Sequence, residues 1–468
     1  MNGPAFIWLS LFAILTVLAF TRPAYGISLY MLSYFAAPML WWWGKLSIGG
    51  FRWNLLSSLI LAAAAIAGGF VNPSKGGYAA ESKKVKFMCW MMVGIAVNAT
   101  FVHFVFAPNR SYSAICYELL VKYVVLFFLM IIATRSVKDF RIVLLSILLG
   151  ASYIGYEVTF NNRGKIRKNR LEGVGAPGAS QANELASLMV TILPLTGVFL
   201  LSDRWREKII TVPIGGLLVN VILLCNSRGA FLSCIGSAAV FLVVTPAKQR
   251  KAAIGIVMLG SLGTWMLMGD TRIVDRFMTI FASEEDRDDS AAGRIDYWKA
   301  GLKVIGEHPM GTGGKGFNKI YGPPAIRAIT NKDFDSRSVH NGYICEACEW
   351  GIQGGLMRLA FIFTAMSLMF ETSRQCSRRN DAMGSVLGAA FISGTVAFLI
   401  TSFFGDYVDN EWGYWVGALS VAYGRFYLDK SPTPADATPS PFELSAVRPS
   451  YAPFGPGYNL PLRPGLPR

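Results

Sequence analysis

The sequence contains few charged side chains for its length. Only 16% of its 468 residues are charged, whereas a soluble protein carries roughly 25%, and 53% are hydrophobic. The apolar residues come in runs of about 20, the length that a helix needs to cross a bilayer. This composition excludes an ordinary soluble enzyme and predicts an all-α polytopic membrane protein.

Metal-binding patterns are also scarce. The chain has seven cysteines and three histidines, and most of the cysteines lie inside apolar segments, where a thiol behaves as a small hydrophobic group. Cys345 and Cys348 form a CxxC motif near His340, without a second CxxC or an HxxxH motif. We favour a packed helical pair over a zinc or redox site, and we expect no metal and no cofactor.

Thirteen apolar segments are predicted to span the membrane. The first two are short and two others are almost contiguous, so the expected count is 12 or 13 helices. Residues 1–20 lack the basic start and the cleavage site of a signal peptide, so we expect a retained first helix. The segments are 6–20, 27–43, 54–70, 87–106, 113–134, 141–158, 181–201, 208–226, 229–245, 252–269, 351–371, 383–404 and 412–427.

The net charge of +15 is expected to set the topology and not to bind nucleic acid, because much of the excess lies in short loops. Five basic loops fall on one side of the predicted spans, which we assign to the cytoplasm. The loop 270–350 is then outside with its acidic run 284–289, for which a solvated surface is favoured over a metal site. The basic loops contain Lys83, Lys84 and Lys86; Arg135, Lys138 and Arg141; Arg204, Arg206 and Lys208; Lys248, Arg250 and Lys251; and Arg374, Arg378 and Arg379.

Two parts of the chain differ in composition. Residues 1–430 form a predicted transmembrane domain into which the loop 270–350 is inserted. Residues 431–468 contain ten of the 22 prolines and no apolar run, so they cannot bury enough surface to fold. We predict that this tail is disordered and cytoplasmic.

One predicted outer loop, 161–180, is basic and breaks the topological bias. Clustered arginine and lysine pair well with phosphate, so we favour an anion site at the outer membrane surface over a solvated loop assigned to the wrong side. Its basic residues are Arg163, Lys165, Arg167, Lys168 and Arg170.

Two further polar motifs lie at predicted outer ends of spans. The motif 226–230, Asn-Ser-Arg-Gly-Ala, joins two apolar segments, where a charge is costly unless it is paired or reaches a polar cavity. We predict that Arg228 faces the bundle interior and binds phosphate, with snorkelling to lipid headgroups as the alternative. Asn183 lies in the polar start of another span, a pattern that also suits helix capping.

The large outer loop carries an amphipathic helix and a glycine-rich segment. Arg294 opens the helix, and Trp298, Leu302 and Ile305 recur at helical spacing, so that face is predicted to be core or membrane interface. Segment 309–317 lacks the GxxxxGK[ST] order and does not follow a strand. We therefore predict a turn that returns the loop to the membrane, and no nucleotide site.

His340 and Asn341 lie where this loop meets the next apolar segment. Histidine is the side chain whose ordinary pKa suits a base near neutral pH. A lone histidine is usually structural, but this one lies at the predicted water–lipid boundary beside at least two candidate anion-binding arginines. We therefore predict that His340 is catalytic.

In this order, the motifs resemble the O-antigen ligase and O-antigen polymerase superfamily of bacterial envelope proteins. The resemblance implies a GT-C-like, metal-independent, inverting glycosyltransferase of the inner membrane whose active site faces the periplasm. Its donor would be a glycan on undecaprenyl pyrophosphate, and its acceptor a hydroxyl of lipid A-core, another glycan or a protein. The matching residues, within about 165–360, are Arg170, Gly173, Asn183, Ala186, Ser227, Arg228, Gly229, Ala230, Gly293, Arg294, Trp298, Pro309, Gly311, Gly313, His340, Asn341, Glu349 and Gly351.

The residue types suggest how this chemistry is divided. Guanidinium groups bind phosphate bidentately, so Arg170 and Arg228, with Arg294 as a weaker third, are predicted to hold the pyrophosphate. His340 is the predicted general base, and Asn183 and Asn341 are further predicted substrate-binding residues. A polysaccharide polymerase or a protein O-oligosaccharyltransferase is the alternative within the superfamily. From another class, a lipid-linked glycan flippase or transporter would bury charges in mid-membrane and show repeated halves.

Overall fold

A computed structural model describes residues 2–71, 82–167, 169–175, 181–202, 204–267, 289–408 and 410–428. These residues are almost entirely helical and contain one two-stranded sheet, which confirms the predicted all-α fold class. The tail 431–468, residues 284–288 of the acidic run and Lys168 lie outside the described residues, so the predictions made for them stay predictions.

The described residues form a succession of helices interrupted by one hairpin. The elements are α1 (Gly3–Thr21), α2 (Ala24–Phe35), α3 (Trp53–Val71), α4 (Lys83–Phe101), the π turn Val102–Phe106, α5 (Arg110–Ala133), α6 (Val137–Phe160), β1 (Lys165–Arg167), β2 (Arg170–Glu172), α7 (Ala182–Ile192), α8 (Pro194–Leu200), α9 (Trp205–Cys225), α10 (Arg228–Val244), α11 (Ala247–Leu267), α12 (Asp289–Glu307), the π turn Phe317–Tyr321, α13 (Gly322–Thr330), α14 (Gly342–Arg378), α15 (Ala382–Phe403) and α16 (Trp412–Tyr427).

Length and composition identify the helices that can cross a membrane. Within the described ranges, eight spans are long and apolar enough: α1, α4 with its π turn, α5, α6, α7 with α8, α9, α14 and α15. Two shorter apolar helices, Trp53–Gly68 and Arg228–Val244, accompany them. Together with α2, α11 and α16, these helices overlap all thirteen predicted spans.

The five basic loops lie at one end of the bundle, as their shared topological assignment predicts. Contacts between loops distant in sequence establish this: Arg141 pairs with Glu207, Lys248 donates to Asn380 Oδ1 (2.6 Å), Arg425 donates to the Thr134 carbonyl (3.1 Å) and Lys84 pairs with Glu371 (2.8 Å). We call this the basic end. Helices α9 and α15 start there and α10 and α14 finish there, so the α9–α10 turn and the start of α14 lie at the opposite end, the motif end.

The glycine-rich segment 309–317 forms the predicted turn and packs against a kink in α14. Gly351 has φ +80° and interrupts the helix, and the Ile352 N–H there donates to the Pro309 carbonyl (3.0 Å). Gly311 also has positive φ, and a methyl group on it would lie 2.6 Å from the Gly351 nitrogen. Because only glycine fits this approach, the segment fixes the outer loop on the first turns of α14.

The predicted apolar face of α12 is buried in part, since Trp298 and Ile305 pack against the core of the outer loop. Leu302 is 60% exposed, whereas Tyr297, Ala300 and Val304 pack into a small core of the outer loop. Cys348 is buried in the same core, where its thiol donates to a backbone carbonyl of α12 (3.4 Å). This packing agrees with the preferred interpretation of the CxxC motif as a helical pair.

Candidate active site at the motif end

The basic segment 161–180 forms a hairpin whose cations do not share one environment. In the antiparallel register, Arg167 lies opposite Arg170 across the turn, and Lys165 and Arg167 are exposed. Arg163 instead pairs with buried Glu157 (Nε to Oε2, 3.8 Å) and stacks on the Trp42 ring at 4.4 Å. Of the four described cations, Arg170 alone is joined to the other predicted site residues by the contacts that follow, so the predicted anion cluster does not form as one unit among them.

Arg170 connects the hairpin to two other motifs. Its Nη2 donates to Asn183 Oδ1 at the start of α7, and the same oxygen accepts a hydrogen bond from Ser227 Oγ (2.8 Å). The Asn226 side chain donates to the Asn169 carbonyl in the hairpin turn (3.2 Å). Three segments that are far apart in sequence therefore meet here, and the Asn183 amide oxygen positions Arg170.

The α9–α10 turn places Arg228 at the start of a helix. Asn226 adopts left-handed backbone (φ +46°) and ends α9, and the Ser227 hydroxyl caps α10 by accepting from the Ala230 N–H (3.4 Å). Arg228 is half-buried in the first turn of α10. A guanidinium and the positive end of a helix dipole together favour an anion at this point.

His340 is held in an unusual backbone conformation. Its φ is +57°, a region that non-glycine residues rarely adopt, although histidine does so more often than most. Its N–H donates to Ser338 Oγ (3.2 Å), and its ring lies 6.1 Å from that of Tyr297. The guanidinium of Arg337 lies over the same Tyr297 ring, 4.9 Å from its centre.

Asp406, in the turn after α15, clamps the backbone on both sides of His340. Its Oδ2 accepts from the Ser338 hydroxyl, and its Oδ1 accepts from the Asn341 N–H (2.9 Å). Burial raises the pKa of Asp406, and these hydrogen bonds lower it. Sequence reasoning missed this residue, although an aspartate between two apolar spans was a signal that could have found it.

Asn341 has a structural role in addition to any contact with substrate. Its Oδ1 accepts from the N–H groups of Tyr343 (3.0 Å) and Ile344 (3.2 Å), so it caps the start of α14. The caps formed by Asn341 and Ser227 fix the starts of α14 and α10. Both predicted amide ligands, Asn183 and Asn341, thus use their side-chain oxygens within the protein.

Residues 404–408 join the part of the site around Arg228 to the part around His340. A methyl group on Gly229 would lie 3.2 Å from Phe404, two residues before the Asp406 clamp. Tyr407 is buried, which raises its pKa, and the nearby carboxylates of Glu184 and Asp406 raise it further. The charges of Arg294 and Arg170 act in the opposite direction. Charged groups from the part of the site around Arg170 and from the part around His340 therefore both act on Tyr407.

The electrostatics of His340 keep it neutral. Burial, followed by the charges of Arg294 and Arg337, lowers the pKa of His340 to about 4. At neutral pH its imidazole can therefore accept a proton, which is the form that a general base requires. Arg337 was absent from the predicted site. Among the described residues, no group of three His, Cys, Asp or Glu side chains is arranged to hold a metal ion.

Residues 214–359 match the sequence profile of a family described as O-antigen ligase. The match supports a place for the chain in the O-antigen ligase and polymerase superfamily. The match confirms the predicted resemblance and supports a glycosyltransferase-like membrane enzyme. The matched region contains Arg228, Arg294, Arg337 and His340, whereas Arg170 lies before it. No curated protein matches the chain.

Proposed function

We propose that this protein transfers a glycan from undecaprenyl pyrophosphate to an acceptor hydroxyl, in a single displacement that inverts the sugar anomer. The observation that carries the proposal is a neutral His340, clamped by Asp406 and flanked by Arg294 and Arg337. A base and a group of cations are the two things that attack on a pyrophosphate-linked sugar requires.

The arginines hold the leaving group. Arg170 and Arg228 bind the pyrophosphate, and Arg294 adds charge on the side of His340. Arg337 supports the same role. Within the described part of the chain, its buried Nε has no acceptor at hydrogen-bond distance, which suits a donor that awaits an anion.

His340 removes the proton from the acceptor. The hydroxyl oxygen attacks the anomeric carbon, its proton passes to the imidazole, and the bond from the anomeric carbon to the pyrophosphate oxygen breaks. The leaving undecaprenyl pyrophosphate carries the electron pair away as negative charge. In the bound donor, the negative charge of the pyrophosphate offsets the charges of Arg294 and Arg337. Donor binding therefore raises the pKa of His340 and strengthens it as a base.

The positive-inside bias supports an orientation for the site. The basic end carries the five loops that bias assigns to the cytoplasm. The motif end then faces the periplasm of a bacterial inner membrane, where it meets a donor presented at the outer leaflet. A polymerase and a protein O-oligosaccharyltransferase differ from a ligase in the acceptor alone, and both fit the same geometry.

A buried ion pair bears on the transporter alternative. Arg358 is 1% exposed within α14, where it pairs with Glu346 (3.2 Å) and stacks on the Tyr414 ring at 4.4 Å. Polar groups are therefore not confined to the motif end. Arg358 pairs with one carboxylate of its own helix and stacks on an aromatic ring of α16. This arrangement connects α14 to α16, as a structural ion pair does.

The deciding experiment uses purified full-length protein in detergent, a lipid-linked glycan donor and a panel of hydroxyl acceptors. We expect transfer to at least one acceptor, loss of transfer in His340→Ala, and donor binding that survives the substitution. Uptake of the donor across a vesicle membrane without transfer would instead support a transporter.

A further inference from the structure

A kink divides α14 into two arms. Gly351 has φ +80° and ψ 167°, a backbone region that is open almost only to glycine. It separates residues 342–350, the short arm, from residues 352–378, the long arm. The short arm begins two residues after His340. The angle at Gly351 therefore determines where the short arm holds His340 relative to the rest of the bundle.

Two buried charges meet across this kink. Glu346 lies in the short arm and Arg358 in the long arm, and Arg358 Nε is 3.2 Å from Glu346 Oε1. The two residues are 12 positions apart. In a straight helix this separation is a rise of about 18 Å, which is further than the two side chains together can reach. The ion pair can therefore form only when the helix is sharply bent at Gly351.

Other contacts hold the short arm at its end. A backbone N–H of the glycine-rich segment 309–317 donates to the Glu349 carbonyl (2.9 Å), and the Asn98 side chain donates to the Trp350 carbonyl (2.8 Å). The ion pair holds the same arm at its middle. Two points of attachment fix the direction of the arm as well as its position.

Arg358 also contacts the helix that follows the Asp406 clamp. Its guanidinium lies over the Tyr414 ring of α16, 4.4 Å from the ring centre. Asp406, in the turn between α15 and α16, holds the backbone on both sides of His340. The short arm is the second support, since its cap Asn341 directly follows His340. The two supports of His340 are therefore joined through one buried guanidinium.

Stability alone does not account for a charged pair at this position. Replacement of a buried ion pair by apolar side chains of similar volume is often neutral or stabilising, because both charges lose their hydration on burial. Apolar contacts are also non-directional, whereas a guanidinium presents its donors in a fixed planar fork. The pair of charges thus specifies one angle of the kink where an apolar contact would allow several.

We propose that Glu346 and Arg358 are positioning residues whose ion pair sets the angle of the short arm and thereby places His340 among the arginines of the motif end. This assignment rests on the function proposed above, since it takes His340 as the base. The pair acts through the backbone and not on the substrate, so its removal should lower kcat and leave donor affinity unchanged. Misplacement of a reacting group by about 1 Å can cost about 10² in rate.

The test replaces both charges by apolar side chains, Glu346→Leu together with Arg358→Met, so that no unpaired charge stays buried. We call this double substitution the apolar variant. The matched control is Lys84→Met with Glu371→Leu, because that ion pair (2.8 Å) also joins the long arm to another helix but lies at the basic end. We expect the apolar variant to keep the wild-type Tm and donor Kd and to lower kcat about 10–100-fold. The control should change none of these quantities.

The pH profile separates positioning from a general loss of structure. Burial and the charges of Arg294 and Arg337 lower the pKa of His340. A His340 that leaves its position loses part of this burial and charge, so its pKa should rise towards the ordinary value. The acidic fall in kcat/KM should therefore move to higher pH in the apolar variant and stay in place in the control.

Wild-type kcat in the apolar variant would overturn the proposal and leave the pair with a role in stability alone. A lowered kcat with an unmoved pH profile, or with a weakened donor Kd, would also contradict it, because the loss would not then come from the position of His340. Absence of transfer by the wild-type protein would instead defeat the proposed function.

A second variant covers an apolar variant that fails to fold. Glu346→Asp keeps both charges and shortens the link to Arg358 by one methylene group, so the fold should survive while the short arm is displaced. We expect an unchanged Tm, an unchanged donor Kd and a kcat lowered about tenfold. Wild-type kcat in Glu346→Asp would overturn the proposal.

Discussion

The two ends of the bundle both carry arginines, and they use them differently. At the basic end, Arg135 donates to the Ala65 carbonyl (3.0 Å), Arg379 donates to the Leu428 carbonyl (3.0 Å), and Arg141 pairs with Glu207. These cations donate hydrogen bonds to carbonyls at helix ends and connect loops to one another. Such contacts stabilise a topology and consume the hydrogen-bonding capacity of the guanidinium groups.

At the motif end, Arg163 also pairs with a carboxylate, but Arg170 and Arg337 contact an amide and aromatic rings. Arg170 donates to a neutral asparagine, and Arg337 lies over Tyr297 and Phe334. The charges of Arg294 and Arg337 remain strong enough to depress the pKa of His340. An arginine whose donors are bonded to carbonyls or carboxylates stabilises the fold and the topology. An arginine that contacts an amide or an aromatic ring is better suited to bind an anionic ligand.

The different roles of the two ends require that they lie on opposite sides of the membrane. We expect a reporter fused after Arg379 to report the cytoplasm and one inserted near Asp288 to report the periplasm. The two signals should be all-or-none, because a polytopic chain fixes the side of each loop. A periplasmic signal at Arg379 would reverse the assignment of both ends.

Removal of the candidate base should give the largest kinetic effect. His340→Ala should lower the single-turnover rate by about 10²–10⁴ while donor affinity stays close to that of the wild type, because the base acts on the acceptor. His340→Asn is the fold-preserving partner, since asparagine tolerates the left-handed backbone found there. His308→Ala, which alters another histidine of the outer loop, is the control. Wild-type turnover in His340→Asn would assign His340 to packing.

An arginine at the motif end should matter where one at the basic end does not. Arg228→Ala should weaken donor binding and lower kcat/KM by about 10–100-fold, since a hydrogen bond to a charged group contributes about 1.5–3 kcal/mol. Arg228→Lys should recover only part of this, because a point charge lacks the bidentate fork. Arg206→Ala at the exposed basic end should leave both quantities unchanged. Full activity in Arg228→Lys would mean that charge alone suffices.

How much of this could be read from the sequence differs between the two ends. Hydropathy and loop charge predicted the helices and the shared end of the basic loops, because those properties depend on local composition. Arg228 and His340 could be singled out as candidates because a charge or a lone histidine at a span boundary is conspicuous, and their roles stay predictions. The Asp406 clamp joins residues 65 apart in the chain, and the charge of Arg337 acts on His340 because the folded loop brings both side chains to the Tyr297 ring, so neither follows from local patterns.

A smaller effect should appear in the pH dependence. With the pKa of free His340 lowered to about 4, kcat/KM should be flat through neutral pH and fall only as the imidazole is protonated near pH 4. Arg337→Gln removes a cation, so the pKa should rise and the acidic fall in kcat/KM should move to higher pH. Arg327→Gln, at an exposed arginine paired with Asp333 (3.2 Å), is the control and should not move it. An unmoved profile in Arg337→Gln would place that charge outside the site.

The pH profile of kcat tests whether the donor contacts these arginines, because kcat reports the enzyme with donor bound. If the pyrophosphate offsets Arg294 and Arg337, the acidic fall in kcat lies at a higher pH than the fall in kcat/KM. Coincident falls would show that the donor binds away from these arginines.

Chelation should have the smallest effect, namely none. The pyrophosphate is already a good leaving group, and the guanidinium groups of the motif end can supply the positive charge that a divalent ion would otherwise bring. Transfer by the purified protein should therefore proceed at the same rate with and without EDTA, while added Mg²⁺ or Mn²⁺ should not accelerate it. Arg228→Ala makes the test stricter, since a metal that shared the work of the arginines would partly restore this variant. Rescue by a divalent ion, or loss of wild-type transfer on chelation, would return the acidic run 284–289 to consideration as a metal site and would end the argument that arginine alone neutralises the leaving group.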